Sequence, residues 1–386
     1  MTEPLRVAMI AACPFPWPRG TPVRIERMAE AVARRGHEVH VVTYHLGEAV
    51  ADAPYVVHRI RDVPSYRRTD PGPTVRKLCQ LDPMLVGLLR RLHREHRFDL
   101  VHAHHYEGLL VASRALRGVP IVYDAHTLLT SELPTYPLGV PRGWLRAVAP
   151  WLDGHLPRRA DRIIAVSEAI RDRLTTLGAA APERVHVIPS GVEWERFPAE
   201  RGTAPDGHTV IFTGNLAPYQ GVNLMLEAFA VLHARRADVR LMIVTDSPFG
   251  PFEPLARQLG VLDAVEVRRA TFAEQPALLA AATVAVNPRI RSAGIPQKLL
   301  NYMAAGMPIV SFKGSAVPLR HEVSGLCVPD GDTAAMADAI ERLLTDRTLA
   351  RTLGDAAREQ VRREFSWEQM AARVEQVYRA AIAGAR

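Results

Sequence analysis

The feature that most constrains this chain is a regular alternation of short apolar runs with helical stretches, repeated along almost its whole length. The run 5–11, with Val7 and Ile10, is short enough to be a buried parallel strand. A loop holding Pro14, Phe15, Pro16 and Trp17 follows. Residues 22–35 then read as a helix, with Thr21 as its N-cap, Pro22 at the first helical position and Gly36 as its stop. Residues 38–43, with Val39, Val41 and Val42, make the next strand and complete a βαβ unit.

The pattern continues with strands at 99–103, 119–124, 161–166 and 184–188. Between them lie helices at 107–116 and 167–177, and helical stretches at 75–96 and 142–159, which are expected to break near Asp82-Pro83 and at Pro150. Residues 192–207 have little periodicity and read as a linker. The alternation then restarts, with strands at 209–213, 239–245, 264–268, 284–287 and 308–312, and helices from 333 onward. The sequence therefore predicts an α/β protein of two parallel-sheet domains, 1–191 and 208–365, followed by a last helix at 366–386. A length of 386 residues suits two domains. With 48% hydrophobic and 23% charged residues, a large core can form and wholesale disorder is excluded.

No apolar run approaches the ~20 residues that span a bilayer, and the N-terminus does not read as a signal peptide. Three scattered cysteines, Cys13, Cys79 and Cys327, suit neither a disulfide framework nor a zinc site, and point to the cytoplasm. The formal net charge is +7, and all of the excess falls within residues 1–190. Such a bias attracts anionic partners. Two basic amphipathic stretches, 84–98 and 141–159, the second with Trp144 and Trp151, suggest peripheral contact with the inner face of a membrane. No sequence pattern calls for nucleic acid.

Ligands of open α/β sheets bind beyond the carboxyl ends of the strands, so the loops after strands are the places to search. Ser292 to Gly306 follows a strand and opens a helix near Pro296. Free N–H groups at such a helix start accept an anion, and a diphosphate suits them. Lys298 and Asn301 share one face of this helix. Lys298 is expected to face solvent and to neutralise phosphate, and Asn301 to bond a hydroxyl-rich group.

The stretch 294–310 resembles the donor-binding helix of family 4 glycosyltransferases, retaining sugar-nucleotide enzymes of GT-B fold. Other segments agree in order: Pro16 to Thr21, Val122 to Thr127, Ile163 to Glu168, Val187 to Val192, Phe212 to Gly221 and Phe365 to Trp367. The resemblance implies two Rossmann-like domains facing a cleft, with the first binding acceptor, the second binding nucleotide sugar, and the last helix crossing back to the first. It implies His126 at the transferred sugar, with Asp124 and Glu132 in support. It also implies a diphosphate held by Gly20, Gly214, Asn215, Gln220, Gly294 and Lys298, and a nucleoside beside Arg269, Ala270, Thr271 and Asn301. The implied donor is a UDP-, GDP- or ADP-sugar and the implied acceptor a hydroxyl, lipid-linked or on a glycan, with no metal and no cofactor. The sequence departs from the family pattern in that Asn215 and Gln220 stand where an arginine and a lysine are common, and Ala293 and Asn301 where two glutamates are common.

His102, His104 and His105 lie close in sequence but specify no further metal ligand, and Glu107 and Glu132 are candidate acceptor-side groups, though such carboxylates are more often solvated. Two other functions fit the same form: a sugar-nucleotide epimerase, which needs a base on each ring face, and a non-catalytic sugar-nucleotide binder.

Overall fold

The computed structural model describes residues 3–384 except 18–19, 49, 71, 137–138, 199–207 and 293. The chain divides into two compact units, Met1–Ser190 with Trp367–Arg386, and Gly191–Ser366.

The first unit is built on strands β1 (Arg6–Ala11), β2 (Glu38–Thr43), β3 (Val56–Arg59), β4 (Leu100–His104), β5 (Ile121–Ala125), β6 (Arg162–Ala165) and β7 (Val185–Val187). They form one parallel sheet in the order β3-β2-β1-β4-β5-β6-β7. Successive side chains of a strand point to opposite faces. Accordingly Ala8 and Ile10 of β1 enter the core on one face, with Leu85, Leu89 and Phe98. Val7, Met9 and Ala11 enter the core on the other face, with Ile25, Met28 and Val32. Met370, Val374, Val377 and Tyr378 of the final helix, Trp367–Gly384, complete that second layer.

The second unit carries β8 (His208–Thr213), β9 (Val239–Val244), β10 (Val265–Arg268), β11 (Val284–Asn287), β12 (Ile309–Phe312) and β13 (Leu326–Val328). Its sheet is parallel throughout, in the order β10-β9-β8-β11-β12-β13. In both sheets the strand order reverses beside the first strand of the unit, between β1 and β4 and between β8 and β11. Such a switch point opens a crevice at the carboxyl edge.

Several local expectations are corrected. The first helix is Gly20–Arg34, so Thr21 lies inside it rather than capping it. Strand β3 has weak sequence signal because it is a four-residue edge strand. Asp82-Pro83 does not break its helix. A π-helical turn, Lys77–Leu81, runs directly into the helix Asp82–His96, with the Asp82 N–H bonded to the Lys77 carbonyl, so Pro83 falls where the wider turn passes into the α-helix. The helix Arg142–His155 also continues through Pro150, anchored by buried Leu145 and Ala149. Within 192–207, Val192 bridges Ser366 and Phe197 is buried in the second unit, so this part is packed structure; 199–207 lie outside the described residues.

The stretch 84–98 turns Leu85, Leu88, Leu89 and Leu92 into the core, and its arginines lie on the solvent side. Its amphipathic pattern is therefore that of a domain-packed helix.

Candidate functional site

In the first unit the polar groups collect at the carboxyl edge. Asp124, near the end of β5, is fully buried. A charge in that position needs a partner. Arg24, from the helix after β1, supplies it by donating from Nε to Oδ2 (3.1 Å) and from Nη2 to Oδ1 (3.3 Å). Arg24 also donates to the Ile188 carbonyl (2.9 Å) and to Ser190 Oγ (3.3 Å), tying together loops far apart in sequence. Burial pushes the Asp124 carboxyl upward, but Arg24 and the histidines around it hold it well below the ordinary carboxylate range.

Three imidazoles face the same carboxylate, with His104 Nδ1 at 3.3 Å, His126 Nε2 at 3.5 Å and His102 Nε2 at 3.7 Å from Asp124 Oδ2. His102 Nδ1 meets the Tyr378 hydroxyl of the last helix at 2.8 Å. Desolvation lowers His126 and His104, so both are neutral near pH 7. The expected link from Asp124 to His126 is thus present as one spoke of a hub. His126 Nε2 is turned toward Asp124 and His104, which leaves Nδ1 as the ring atom outside these contacts. His102, His104 and Asp124 are close enough together to ligate a metal, but the Asp124 carboxylate is already paired with the Arg24 guanidinium.

Beside this hub lies a cavity of about 280 Å³, whose walls include Cys13, Trp17, Gly20, Lys77, Glu107 and Glu132. This is near the lower end of small-molecule pockets, room for one compact polar ligand. Lys77 lines it and donates to the carbonyls of Gly72 (2.7 Å) and Asp70 (3.1 Å). His105, in the left-handed region at φ 61°, turns its ring between two carboxylates. Its Nδ1 bonds Glu107 Oε2 at 2.6 Å, and its Nε2 meets Thr127 Oγ1 at 3.1 Å and Glu132 Oε2 at 3.4 Å. Burial opposes the charge, yet Glu107 and Glu132 outweigh it and push His105 up to about 10.

This has a measurable consequence. A folded-state pKa raised above the ordinary imidazole value of 6.5 contributes stability that is fully present below pH 6.5 and is lost as pH rises through about 10. His105→Gln should flatten the stability curve across that window, read by urea unfolding at several pH values. Equal slopes in both proteins would refute the assignment.

In the second unit the loops after β8 and β11 meet at the switch point. Gly221 has φ 73°, and a Cβ there would lie 2.1 Å from the Pro288 carbonyl oxygen, so only glycine permits the approach. The helix Gln297–Ala304 starts at Pro296 with no side-chain cap, leaving its first N–H groups for a ligand. Lys298 does not face solvent freely. Its Nζ donates to Gln220 Oε1 (2.8 Å) and sits 3.8 Å above the Phe212 ring. Gly214 is beside it, where an added Cβ would come within 3.3 Å of Nζ. Burial, with Arg289 nearby, lowers the Lys298 ammonium to about 7.

Asn215 and Gln220 are occupied within the loop. Gln220 Nε2 donates to Asn215 Oδ1 (3.3 Å), and Asn215 Nδ2 donates to the Tyr219 hydroxyl (3.2 Å). Their amides position Lys298. Arg289, stacked 4.8 Å over Tyr219, is a second cation at this edge and is absent from the sequence-derived site residues. Its signal was its place immediately after β11. The Gly294 N–H leans on Ser292 Oγ (3.4 Å), and Ala293 lies outside the described residues. Asn301 is buried, with its amide shared between Gln275 (3.3 Å) and Gln297 (3.4 Å). The polar groups at the helix surface on that side therefore belong to those two glutamines. Of the three residues after β10, Arg269 is exposed, Ala270 packs on the core, and Thr271 is tied to Glu274 by bonds of 2.7 Å from its N–H and its hydroxyl.

Two all-parallel Rossmann-like units in succession, each with its polar groups at a strand-order reversal, define the GT-B class of fold. The model of Glycosyltransferase Family 4 matches residues 18–196, and that of Glycosyl transferases group 1 matches residues 207–346. The chain is 30% identical to an MMP alpha-(1->4)-mannosyltransferase of Mycolicibacterium hassiacum, over 94% of this chain and 95% of that one. It is 32% identical to a phosphatidyl-myo-inositol mannosyltransferase of Mycobacterium leprae, over 97% and 96%. The structure of Anabaena HepE in complex with UDP has the same fold, with a TM-score of 0.72 at 20% identity over 96% of this chain and 99% of that one. The chain belongs to the family 4, group 1 glycosyltransferases and is a glycosyltransferase.

Proposed function

We propose that the chain moves a hexose from a nucleoside-diphosphate donor to a hydroxyl acceptor with retention of configuration, and needs neither metal nor cofactor. The observation that carries this reading is the pairing of Lys298 and Arg289 at an uncapped helix start on the carboxyl edge of the second unit. Negative charge grows on the diphosphate as the glycosidic bond breaks, and fixed donors aimed at it stabilise the transition state. Lys298, Arg289, the helix N–H groups and Gly294 take the diphosphate, and the backbone at Gly214 lets it approach. Gln275, Gln297 and the segment Arg269 to Thr271 take the nucleoside.

In the first unit, neutral His126 hydrogen-bonds the transferred sugar, oriented by Asp124. The cavity with Glu107, Glu132 and His105 receives the acceptor hydroxyls, and Gly20 lies at its rim. Asp124 is locked to Arg24 and far too weak a base to take a ring proton, which counts against an epimerase. The two relatives reported above are named as mannosyltransferases, which favours mannose, and UDP in the Anabaena structure favours a nucleoside diphosphate. Calorimetry with UDP, GDP and ADP, alongside a transfer assay with their sugars, tests the proposal. Silence in both would overturn it.

The acceptor is lipid-linked in this reading, and the protein works from the cytoplasm against the inner membrane face. Among the described residues no helix is long and apolar enough to cross a membrane. The helix Arg142–His155, however, leaves Trp144 60% and Trp151 57% exposed on one face, two turns apart, with His155 stacked on Trp151. Trp144→Ala/Trp151→Ala should lower sedimentation with vesicles containing anionic lipid several-fold, without changing donor binding. Undiminished sedimentation would refute the membrane contact.

A further inference from the structure

Away from the carboxyl edge of the first sheet, three histidines converge that the reaction does not use. His40 lies on β2 and His58 on β3. The register pairs His40 with Val56, so His58, two residues further on, points to the same face. His96 ends the helix Asp82–His96, which packs on that face. One nitrogen from each of the three rings lies within 4.8 Å of the others. The rings lie close, with His40 and His58 stacked at 5.1 Å between centroids and His96 tilted against His40 at 4.3 Å.

The hydrogen bonds fix which nitrogens are offered. His40 Nε2 is 2.8 Å from Glu38 Oε1, and since a carboxylate only accepts, the proton of His40 belongs on Nε2. That leaves Nδ1 as a lone pair, and it faces His58 Nε2 at 2.8 Å. A carboxylate holding the outer N–H of a histidine, with the inner nitrogen turned to a shared point, is the arrangement that prepares imidazole for a metal. Arg6 turns to Glu38 Oε2 (3.2 Å) and to the His96 carbonyl (3.2 Å) rather than to the rings, and Arg91 and Glu95 of the same helix as His96 are the further charges near His58, opposite in sign. The contrast is with His102, His104 and Asp124, where Arg24 already supplies the positive charge.

We propose that His40, His58 and His96 bind one imidazole-preferring divalent cation of the zinc class, with Glu38 as the outer partner of His40 and water completing the coordination. Three nitrogens at about 2.0–2.1 Å from zinc stand roughly 3.3 Å apart, so the His40–His58 pair opens by about half an ångström to admit it. The cation takes no part in sugar transfer. It joins the four-residue edge strand β3 to β2 and to the end of the helix Asp82–His96, where the helix dipole also favours positive charge.

The test is calorimetric titration of ZnCl2 into chelator-stripped, full-length protein. One saturable equivalent is expected. His96→Gln, at an accessible helix end, should abolish it, as should His58→Gln, and Glu38→Gln should weaken it by about 10- to 100-fold. His104→Gln should leave it unchanged. Independently, zinc should slow amide exchange across Val56–Arg59 in the wild type and not in His96→Gln. Absence of saturable uptake, uptake that survives His96→Gln, or uptake lost through His104→Gln instead, would each overturn the proposal.

Discussion

Lys298→Ala is expected to lower turnover by about 10²–10³, the loss seen when one preorganised transition-state donor is removed. Lys313→Ala, at an exposed position, is the control and should leave turnover near wild type. Lys298→Ala should also weaken donor binding. Its effect on stability runs the opposite way. Burial lowers the Lys298 ammonium from the ordinary lysine value of 10.5 to about 7. Carrying the charge in the folded state therefore costs stability, a cost that is absent above pH 10.5, grows as pH falls, and is complete below about 7. The contact with Phe212 recovers part of it. Lys298→Met should thus raise the melting temperature of the donor-free protein at pH 6 and erase the change at pH 10.5. In the proposed function the donor diphosphate offsets the cost of keeping this desolvated charge. Wild-type turnover in Lys298→Ala would show that the diphosphate is bound elsewhere.

Arg24→Met is expected to cost about 3–5 kcal/mol of unfolding free energy, because it leaves the Asp124 carboxylate buried without a counter-charge. Arg24→Met/Asp124→Asn should recover a substantial part of the loss, since the uncompensated charge is gone. Urea unfolding of the two single variants and the double variant measures the coupling. Additive losses would mean that the pair acts independently and that Asp124 is not the hub. Transfer activity should stay low in the double variant, because His126 would have lost the carboxylate that orients it.

The legible part of the fold is the part written in periodicity. Val7, Met9 and Ala11 against Ala8 and Ile10 already specify a strand buried on both faces, and the succession of such runs requires parallel sheets. The helix opening at Pro296 was likewise readable, since proline and small residues after a strand mark a helix start. Edge strand β3 was not, because four residues with one solvated side leave too little pattern. Neither was the continuity of the helix Arg142–His155 through Pro150, which tertiary packing of Leu145 and Ala149 decides against local propensity.

The site divides along the same line. Position after a strand singled out Lys298 and its loop, a local property of the chain, whereas His126, with Asp124 two residues before it, was singled out by the family resemblance. What each group is bonded to was decided only in three dimensions. Arg24 reaches Asp124 across 100 residues, and Lys298 reaches Gln220 across 78. Asn215 and Gln220 read as weak replacements for charged residues, yet the fold uses them to hold a lysine. Asn301 read as a ribose contact, yet the fold buries it between Gln275 and Gln297. A residue's type and its distance from a strand end are carried by the chain itself. Its protonation state, its partners and its exposure depend on groups that only the closed sheet brings near, because burial and charge act through space rather than along the sequence.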